Sequence, residues 1–388
     1  MKKTYLLTPG PTPVPPEVLL AMAQPVMHHR SPAFRAITRE CRDGLRYLFQ
    51  TEGEVLVFVA SGTGAMEAAV ANCLAPGDRA LVIEAGKFGE RWSELCLAYG
   101  AQPQRLQPGW GRMCAASEVA ARLEADPGIR AVFCQANETS TGVCAPLEEL
   151  GRLCRGHQAL LVVDAVSALG AMDIPTDRWG LDIVVSGSQK ALMLPPGLAF
   201  AAVSEKAWKV VNTLKRPTYY FSFAKTLAAA QKDQGAFTSA VSLMYGLREV
   251  LRMLREEGLE PIFARHRLMS AATKAAVRAL GLSLFPQDNP SDCLTAVETP
   301  AGIDGQEVVA RLRDEHGITI AGGQAQLKGK IFRISHMGYV SPSDILLAIA
   351  ALEQVLRSLG HQAELGSGVR AAQEIFARGS APGPSSPR

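Results

Sequence analysis

The chain has 388 residues, 47% of them hydrophobic and 20% charged, which is the composition of a folded globular protein with a large core. Its 40 basic and 37 acidic residues leave a net charge of +3, and no Lys/Arg cluster stands out. A nucleic-acid-binding or membrane-surface role therefore has no electrostatic support.

The eight cysteines form no C-x-x-C pair and no zinc-ligand spacing with the histidines, so no metal site is expected. The N-terminal stretch MKKTYLLTPGPTP reaches proline after too few apolar residues for a signal peptide. No apolar run has the length that a membrane-spanning helix requires. The sequence therefore predicts a cytoplasmic protein with reduced thiols.

A proline-rich arm opens the chain, and a helix is predicted to begin near Pro16. Strands and helices then alternate. The predicted strands are EVLVFVA, DRALVIEA, AVFCQAN, ALLVVDAV, DIVVSGS and GLAFAAVS, with helices such as AMEAAVANCL and ERWSELCLAYG between them. This alternation predicts an α/β fold with a mostly parallel, doubly wound sheet, in which ligands bind at the carboxyl ends of the strands.

A long helical stretch begins near Val241 and is interrupted at Gly258 and Pro261. It is predicted to lead into a smaller C-terminal α/β domain with the strands CLTAVETP, GITIAGG and KIFRISHMG. The predicted organisation is an arm over residues 1–15, a large domain over 16–257, a small domain over 258–365 and a largely disordered tail over 366–388.

Lys190 and Asp164 are the first candidates for chemistry. Lys190 lies between the strand DIVVSGS and the apolar turn KALMLPPG, and Asp164 ends the apolar run ALLVVD. Taken alone, the lysine is better explained as a solvent-facing loop residue, and the aspartate as a helix cap or an ion-pair partner. The alternative is a chemical role, with the lysine as an amine nucleophile and the aspartate as a buried acid.

Other polar and aromatic groups also follow predicted strands. Ser61, Gly62 and Thr63 lead into a helix and offer free backbone N–H groups to a phosphate, although glycine at such a turn is often there for geometry. The run lacks the third glycine of a dinucleotide fingerprint and is not a P-loop. Phe88 is either a core residue or a stacking surface for a ring, and Thr139 adds a hydroxyl group.

Together these residues offer what pyridoxal phosphate requires: an amine for its aldehyde, an acid for its pyridine nitrogen and a phosphate cradle. The chain resembles the class V, fold-type I pyridoxal-phosphate aminotransferases, in the branch of the alanine–glyoxylate and serine–pyruvate enzymes. The resemblance runs through LLTPGPTPVP, SGTGAMEAA, KFGER, NETSTGV, VDAVSALG, SGSQKALMLPPG, VSLMYGLRE and GGQAQLKGKIFRISHMG. It implies a seven-stranded, mostly parallel sheet in a large cofactor-binding domain.

The resemblance also implies a role for each matching residue. Lys190 would bind the aldehyde of the cofactor and move a proton, and Asp164 would keep the pyridine nitrogen protonated. Arg333 would bind the substrate carboxylate, and Gly10 and Thr12 would wall the substrate pocket. The other cofactor-binding residues that it implies are Ser61, Gly62, Thr63, Phe88, Thr139, Val166, Gln189 and Thr238. Thr238 would reach the phosphate in the neighbouring subunit, so a homodimer with sites at the subunit interface is implied.

The implied activity is transfer of an amino group from a small L-amino acid, of the alanine or serine type, to glyoxylate or pyruvate. The sequence departs from the pattern of this branch at two positions. Gly235 stands where the branch has an aromatic residue, and Ser239 stands where it often has proline. Both departures lie near Thr238, so the resemblance does not define the substrate preference.

Several alternatives remain at the level of sequence. The substrate could be a phosphonate, phosphoserine or an aspartate-type amino acid. A cysteine desulfurase is disfavoured because Gln189, not histidine, precedes Lys190, and because Cys293 reads as a strand entry. A non-catalytic pyridoxal-phosphate-binding protein is disfavoured because the lysine, the aspartate and the arginine occur together. Three histidines have no assigned role: His28, His29 and His336.

Overall fold

The computed structural model describes residues 3–214 and 216–379. The strands are β1 (Tyr5–Leu6), β2 (Val55–Ala60), β3 (Arg79–Ile83), β4 (Gln102–Leu106), β5 (Ile129–Gln135), β6 (Asn137–Glu138), β7 (Val143–Cys144), β8 (Leu160–Asp164), β9 (Ile183–Gly187), β10 (Gly197–Val203), β11 (Leu294–Glu298), β12 (Ile318–Thr319), β13 (Ala321–Gly322) and β14 (Ile331–Ser335). The helices are α1 (Pro16–Met22), α2 (Pro32–Phe49), α3 (Gly62–Cys73), α4 (Lys87–Ala98), α5 (Ala116–Ala125), α6 (Leu147–Arg155), α7 (Thr176–Trp179), α8 (Glu205–Leu214), α9 (Phe223–Ala230), α10 (Val241–Glu257), α11 (Leu259–Ala279), α12 (Gly305–His316), α13 (Pro342–Ser358) and α14 (Ser367–Gly379).

A seven-stranded sheet forms the centre of the molecule, with the strand order β2-β10-β9-β8-β5-β3-β4. Only β10 runs antiparallel to its neighbours, β2 and β9, and the other pairings are parallel. Every residue of β8 and β9 is buried, as expected for strands that are covered on both faces. The edge strand β4 has the polar sequence QPQRL and no buried residue. The predicted mostly parallel sheet is confirmed.

The sheet topology brings functional candidates to one edge. Because β10 is antiparallel to both β2 and β9, strand β2 runs in the same direction as β9, β8, β5 and β3. The carboxyl ends of these five strands therefore lie at the same edge of the sheet. Ser61, Asp164 and Lys190 lie at or just after three of these ends. This is the edge at which open α/β sheets bind ligands.

The C-terminal part contains a separate three-stranded antiparallel sheet, with the order β11-β14-β13. Helices α11, α12 and α13 pack on it around a core that includes Val277, Phe332 and Ile349. The N-terminal strand β1 pairs with β12 in parallel, which ties the arm to this part of the molecule. The predicted interruption near Gly258 is confirmed, since α10 ends at Glu257 and α11 begins at Leu259.

Helix α14 differs from the sequence-based prediction, which places residues 366–388 in a largely disordered tail. The buried carboxylate of Glu353 explains the helix, because it accepts the backbone N–H groups of Gly366, Gly368 and Val369 at 2.7 to 3.0 Å. Ala372 is buried in the core of the C-terminal part. Residues 380–388 of the predicted tail lie outside the described residues.

Among the helices in residues 3–214 and 216–379, none is both long enough and apolar enough to cross a membrane.

Candidate active site

A cavity of about 90 Å³ lies at the carboxyl edge of the large sheet. Nine of the sequence-predicted residues line it: Ser61, Gly62, Thr63, Phe88, Thr139, Asp164, Val166, Gln189 and Lys190. They come from segments that are far apart in sequence and meet because the strands that precede them are parallel. The structure thus brings together the lysine, the aspartate and the helix-α3 turn that the sequence singles out.

Lys190 is half-buried at the base of this cavity, and its turn is fixed by the buried residues Ala191 and Leu192. Its Nζ donates a hydrogen bond to the carbonyl of Pro9 in the N-terminal arm. Burial, together with the positive charges of Arg333 and Arg91, lowers the pKa of this amine to about 8, and Asp164 opposes the shift. A lysine with such a pKa has a substantial neutral fraction at mildly alkaline pH and is a competent nucleophile.

Asp164 ends β8 and is buried. Its Oδ1 accepts the backbone N–H of Val166 at 2.8 Å. Burial raises the pKa of the carboxyl group to about 6, although that hydrogen bond and the positive charges of Arg91 and Lys190 oppose the rise. No ion pair joins Asp164 to a lysine or arginine in the described ranges, so the carboxylate is available to a protonated nitrogen in the cavity.

The turn at Ser61–Thr63 forms an anion cradle. Ser61 is the N-cap of α3 but makes no capping hydrogen bond, and no acceptor among residues 3–214 and 216–379 contacts the N–H groups of Gly62 and Thr63. A Cβ on Gly62 would lie 2.7 Å from Val166 Cγ2, so only glycine permits this approach of the two segments. Free N–H groups at a helix N-terminus favour a phosphate.

Arg91 is a cavity residue that sequence reasoning missed. Its Nη1 donates to Thr63 Oγ1 at 3.2 Å, and its guanidinium lies 4.8 Å from the centroid of the Phe88 ring. Within the described residues it has no carboxylate partner. It therefore adds a positive charge beside the anion cradle. The available signal was its position three residues after Phe88 on the same helix, which places both on one face.

Other predicted cofactor-binding residues line the same cavity. Thr139 and Ser167 share a hydrogen bond of 2.7 Å between their hydroxyl oxygens. Val166, half-buried, follows Asp164 by two residues. The side-chain oxygen of Gln189 is buried and has no hydrogen-bond partner in the described part of the chain. It can therefore accept a hydrogen bond from a group bound in the cavity.

Arg333 is buried on β14, in the C-terminal part; it does not line the Lys190 cavity itself but contacts Thr139, which does. Its Nη1 donates to the carbonyl of Thr139 at 2.7 Å, and its Nε and Nη2 donate to the carbonyl of Gly322 at 3.1 and 2.7 Å. Each terminal nitrogen therefore retains one N–H that no described residue accepts. Burial lowers the pKa of the guanidinium to about 10, and Glu138 opposes the shift. A guanidinium held by carbonyls alone is suited to a bidentate carboxylate.

Gly10 and Thr12 lie against Lys190, where the resemblance expects the wall of the substrate pocket. Thr12 Oγ1 donates to the carbonyl of Lys190 at 2.7 Å. Gly10 has φ +124°, a backbone conformation that requires glycine, and a Cβ there would lie 2.6 Å from Lys190 Cε and would displace the end of the lysine side chain.

Thr238 does not line the Lys190 cavity of its own chain. It lines a different cavity together with Gly235 and Ser239, beside Tyr220 and Phe237. The rings of Tyr220 and Phe237 stack with centroids 4.9 Å apart, and Tyr220 is 42% exposed. This arrangement leaves Thr238 at an aromatic surface on the outside of the described chain.

The histidines without an assigned role, and Cys293, do not line the Lys190 cavity. The rings of His28 and His29 contact each other with centroids 4.9 Å apart and planes tilted by 41°. His336 is buried and its Nε2 pairs with Thr295 Oγ1 at 3.2 Å. Cys293 is buried immediately before β11, in agreement with a strand entry, and burial raises the pKa of its thiol far above the ordinary range.

The family model for class-V aminotransferases matches residues 4–347. The chain belongs to the class-V aminotransferases. It is 44% identical to the soluble hydrogenase small subunit of Synechococcus sp. (strain PCC 6716), over 96% of this chain and 98% of the relative. It is 36% identical to the L-aspartate–glyoxylate aminotransferase of Paracoccus denitrificans, over 96% of each chain. Identity to the serine–glyoxylate aminotransferase of Arabidopsis thaliana is 35%, over 95% of this chain and 94% of the relative.

The fold agrees with solved structures of the family. The ureidoglycine–glyoxylate aminotransferase of Bacillus subtilis superposes with a TM-score of 0.92 at 34% identity, over 97% of this class-V chain and 99% of the other. The family implies pyridoxal phosphate, and the cavity fits that group. It offers an amine, a buried acid, an anion cradle with an adjacent arginine, and a side-chain oxygen without a partner.

Proposed function

We propose that this protein transfers the amino group of a small L-amino acid, of the alanine or serine type, to a small 2-oxo acid such as glyoxylate or pyruvate, with pyridoxal phosphate as its cofactor. Two of the aminotransferase relatives support the acceptor, because their names specify glyoxylate with a serine or an aspartate donor. The hydrogenase name of the Synechococcus relative gains no support from this chain. Within the described ranges, no three His, Cys, Asp or Glu side chains are grouped as metal ligands.

One observation carries the proposal: Lys190 and Asp164 meet in one cavity without neutralising each other. The pKa of the amine is lowered to about 8 and that of the acid is raised to about 6, in both cases chiefly by burial. Neither group belongs to an ion pair in the described part of the chain. Paired titratable groups that burial displaces from their usual pKa values are typical of reactive sites rather than of structural contacts.

The chain supplies binding groups and a proton carrier. When bound, pyridoxal phosphate supplies the electron sink that makes a Cα proton of the substrate removable. Lys190 Nζ would hold and move that proton, as a positioned base and then as an acid. Asp164 would accept a hydrogen bond from the protonated pyridine nitrogen. The N–H groups of Gly62 and Thr63, with Arg91, would bind the phosphate.

Substrate binding is assigned to Arg333. Its two free N–H groups match the two oxygens of an α-carboxylate, and the carbonyls of Thr139 and Gly322 hold the guanidinium in a fixed orientation. Phe88 and Val166 would contact the two faces of the cofactor ring, and Gly10 and Thr12 would bound the substrate beside Lys190.

A homodimer completes the proposal. Thr238 lies outside the Lys190 cavity of its own chain, beside the exposed rings of Tyr219 and Tyr220 and the ring of Phe237. In a dimer that buries these rings, Thr238 would face the phosphate site of the neighbouring subunit. The proposed domains are the arm 1–15, the large domain 16–257 and a small domain that begins at 258 and extends past 365, because α14 packs into the same core. The eight free cysteines favour the cytoplasm.

A donor of the aspartate type is the second candidate. The Paracoccus relative is named for aspartate and glyoxylate. The absorption spectrum of the loaded protein separates the two candidates. Alanine or serine should change the cofactor band, and glyoxylate or pyruvate should restore it; a response to aspartate alone would favour the second candidate. No response to any of these donors would contradict both.

A further inference from the structure

A buried carboxylate from another element caps the helix that carries Phe88. Glu138 ends β6, and its Oε2 accepts the backbone N–H groups of Phe88 and Gly89, each at 3.0 Å. The neighbouring Ser140 Oγ accepts the N–H of Lys87 at 3.0 Å. Because the N-cap residue of α4 is a glycine without a side chain, the first-turn N–H groups depend on this distant cap.

The approach of Glu138 to α4 requires a glycine. A Cβ on Gly86 would lie 2.7 Å from both Cγ and Cδ of Glu138, closer than real Cβ contacts. The loop before α4 therefore has no space between it and the carboxylate, and the position of Phe88 is tied to that of Glu138.

Among the described residues, every group that makes a polar contact with the Glu138 carboxylate is a hydrogen-bond donor. Besides the two helix N–H groups, the N–H and Oγ of Ser140 donate to Oε1 at 3.1 and 2.6 Å. An ionised carboxylate accepts all four hydrogen bonds, whereas a protonated one must give up an acceptor position. Burial raises the pKa of Glu138 to about 7, its donors oppose the rise, and Asp164 adds to it. The charged groups that face it are Asp164 and Arg333.

The same segment holds the arginine. Thr139 lies between Glu138 and Ser140 in sequence, and its carbonyl accepts Nη1 of Arg333 at 2.7 Å. Glu138 is also the negative charge that opposes the effect of burial on Arg333. One carboxylate therefore contacts the helix of Phe88 directly and stabilises the charge of Arg333 across the cavity wall.

We propose that Glu138 is a positioning residue. It fixes the position of Phe88, on the cofactor side of the cavity, and that of Arg333, on the substrate side. The inference rests on the proposed function, since it assigns the two sides of the cavity to pyridoxal phosphate and to the amino acid. Loss of the Glu138 charge should therefore weaken the binding of both pyridoxal phosphate and the amino acid. A substitution of Phe88 alone should weaken mainly the binding of the cofactor, and one of Arg333 alone mainly that of the amino acid.

The test compares Glu138→Gln with Glu94→Gln, the same change at an exposed position of α4. Glutamine keeps the size of the side chain but turns an NH₂ group towards donors. Glu138→Gln should weaken the binding of pyridoxal phosphate and raise the KM for the amino acid by roughly 10- to 100-fold each, as expected for hydrogen bonds to a charged acceptor. Glu94→Gln should match the wild type in both measurements.

A measurement on the cofactor-free protein is independent of turnover. Amide hydrogen exchange at Phe88 and Gly89, corrected for the intrinsic effect of pH, should accelerate in the wild type as pH falls through about 7. In Glu138→Gln it should be fast throughout and lose this dependence on pH. Ser140→Ala, which removes one donor and the Lys87 acceptor, should weaken cofactor binding by roughly 2- to 10-fold, and it replaces Glu138→Gln if that variant does not fold.

Unchanged binding of both ligands to Glu138→Gln, or to Ser140→Ala in its place, would overturn the proposal, even if the exchange rates changed. Such a result would reduce Glu138 to a helix cap. A wild-type protein that fails to bind pyridoxal phosphate would instead refute the proposed function, and the exchange measurement would still report on the cap.

Discussion

Two lysine–aspartate pairs occupy opposite edges of the same parallel strands. At the amino edge, Lys206 Nζ donates to Asp182 Oδ2 at 3.1 Å and to the carbonyls of Cys154 and Ala159 at 3.0 and 2.7 Å. Asp182 also accepts the N–H of Leu161 at 2.9 Å and is buried. The ammonium and the carboxylate of this pair therefore contact each other and are also hydrogen-bonded to the backbone, as in structural ion pairs.

At the carboxyl edge, Lys190 and Asp164 are left without such partners. Lys190 Nζ has one carbonyl acceptor, that of Pro9, and no described carboxylate lies within ion-pair distance. The pKa of the lysine falls to about 8 and that of the aspartate rises to about 6 as burial favours the neutral forms. Lysine and aspartate therefore have a structural role at the amino edge, where Lys206 and Asp182 form an ion pair. They have a reactive role at the carboxyl edge, where Lys190 and Asp164 form none.

The largest expected effect is that of Lys190→Ala, with Lys206→Ala as its matched control. The first variant should fold but lose transamination by at least about 10²- to 10⁴-fold, since its acid–base group is gone. The second should keep its turnover and lose about 1–3 kcal/mol in free energy of unfolding, because Asp182 loses a charged partner. Steady-state turnover and urea unfolding test both. Turnover by Lys190→Ala without added amine would contradict its role.

Asp164→Asn should bind pyridoxal phosphate but lose turnover by on the order of 10²-fold or more, because an amide cannot keep the pyridine nitrogen protonated. Asp182→Asn is the control at the other edge and should affect stability rather than turnover. Cofactor titration followed by single-turnover kinetics distinguishes binding from chemistry. Unchanged turnover in Asp164→Asn would remove this residue from the electron-sink role.

Arg333→Ala should raise the KM for the amino acid by roughly 10- to 100-fold and change kcat less, because it removes a bidentate contact to the carboxylate. The half-buried Arg311, which pairs with Glu307 at 2.8 Å, provides the control substitution to alanine. An unaltered KM in Arg333→Ala would place the substrate carboxylate elsewhere.

The smallest expected effect is a difference in the pH dependence of stability. The pKa of Lys190 is about 8 in the folded protein and 10.5 as an ordinary lysine, so the unfolded state binds more protons between these values. The free energy of unfolding of the cofactor-free wild type should therefore rise with pH in this window relative to Lys190→Met. Urea unfolding at about pH 7.5 and about pH 10 tests this. A constant difference between the two proteins would contradict the lowered pKa.

The sequence was sufficient to predict the sheet and much of the cavity. Buried parallel strands are near-continuous apolar runs, so a polar residue at the end of such a run, as at Asp164, marks the edge where ligands bind. The short apolar runs before Ser61 and Lys190 carry the same signal. The parallel topology then brings these ends together without any information on side-chain contacts.

Long-range contacts were not predictable in this way. The carboxylates of Glu138 and Glu353 each cap a helix far away in sequence, and only the folded chain reveals which N–H groups they accept. For the same reason the sequence gives no sign that α14 is stabilised, and its low-complexity end dominates the prediction of a disordered tail. From the sequence, Arg91 is indistinguishable from an arginine that faces solvent on a helix. Only its contact with Thr63 in the folded chain shows that it lies beside the anion cradle.

The most direct test of the central claim is reduction with borohydride in the presence of pyridoxal phosphate, followed by peptide mass spectrometry. The unpaired, low-pKa amine of Lys190 should retain the pyridoxyl group, and Lys206, matched by Asp182, should remain unmodified. Modification confined to other lysines, or none at all, would contradict the assignment of Lys190 as the residue that binds the cofactor.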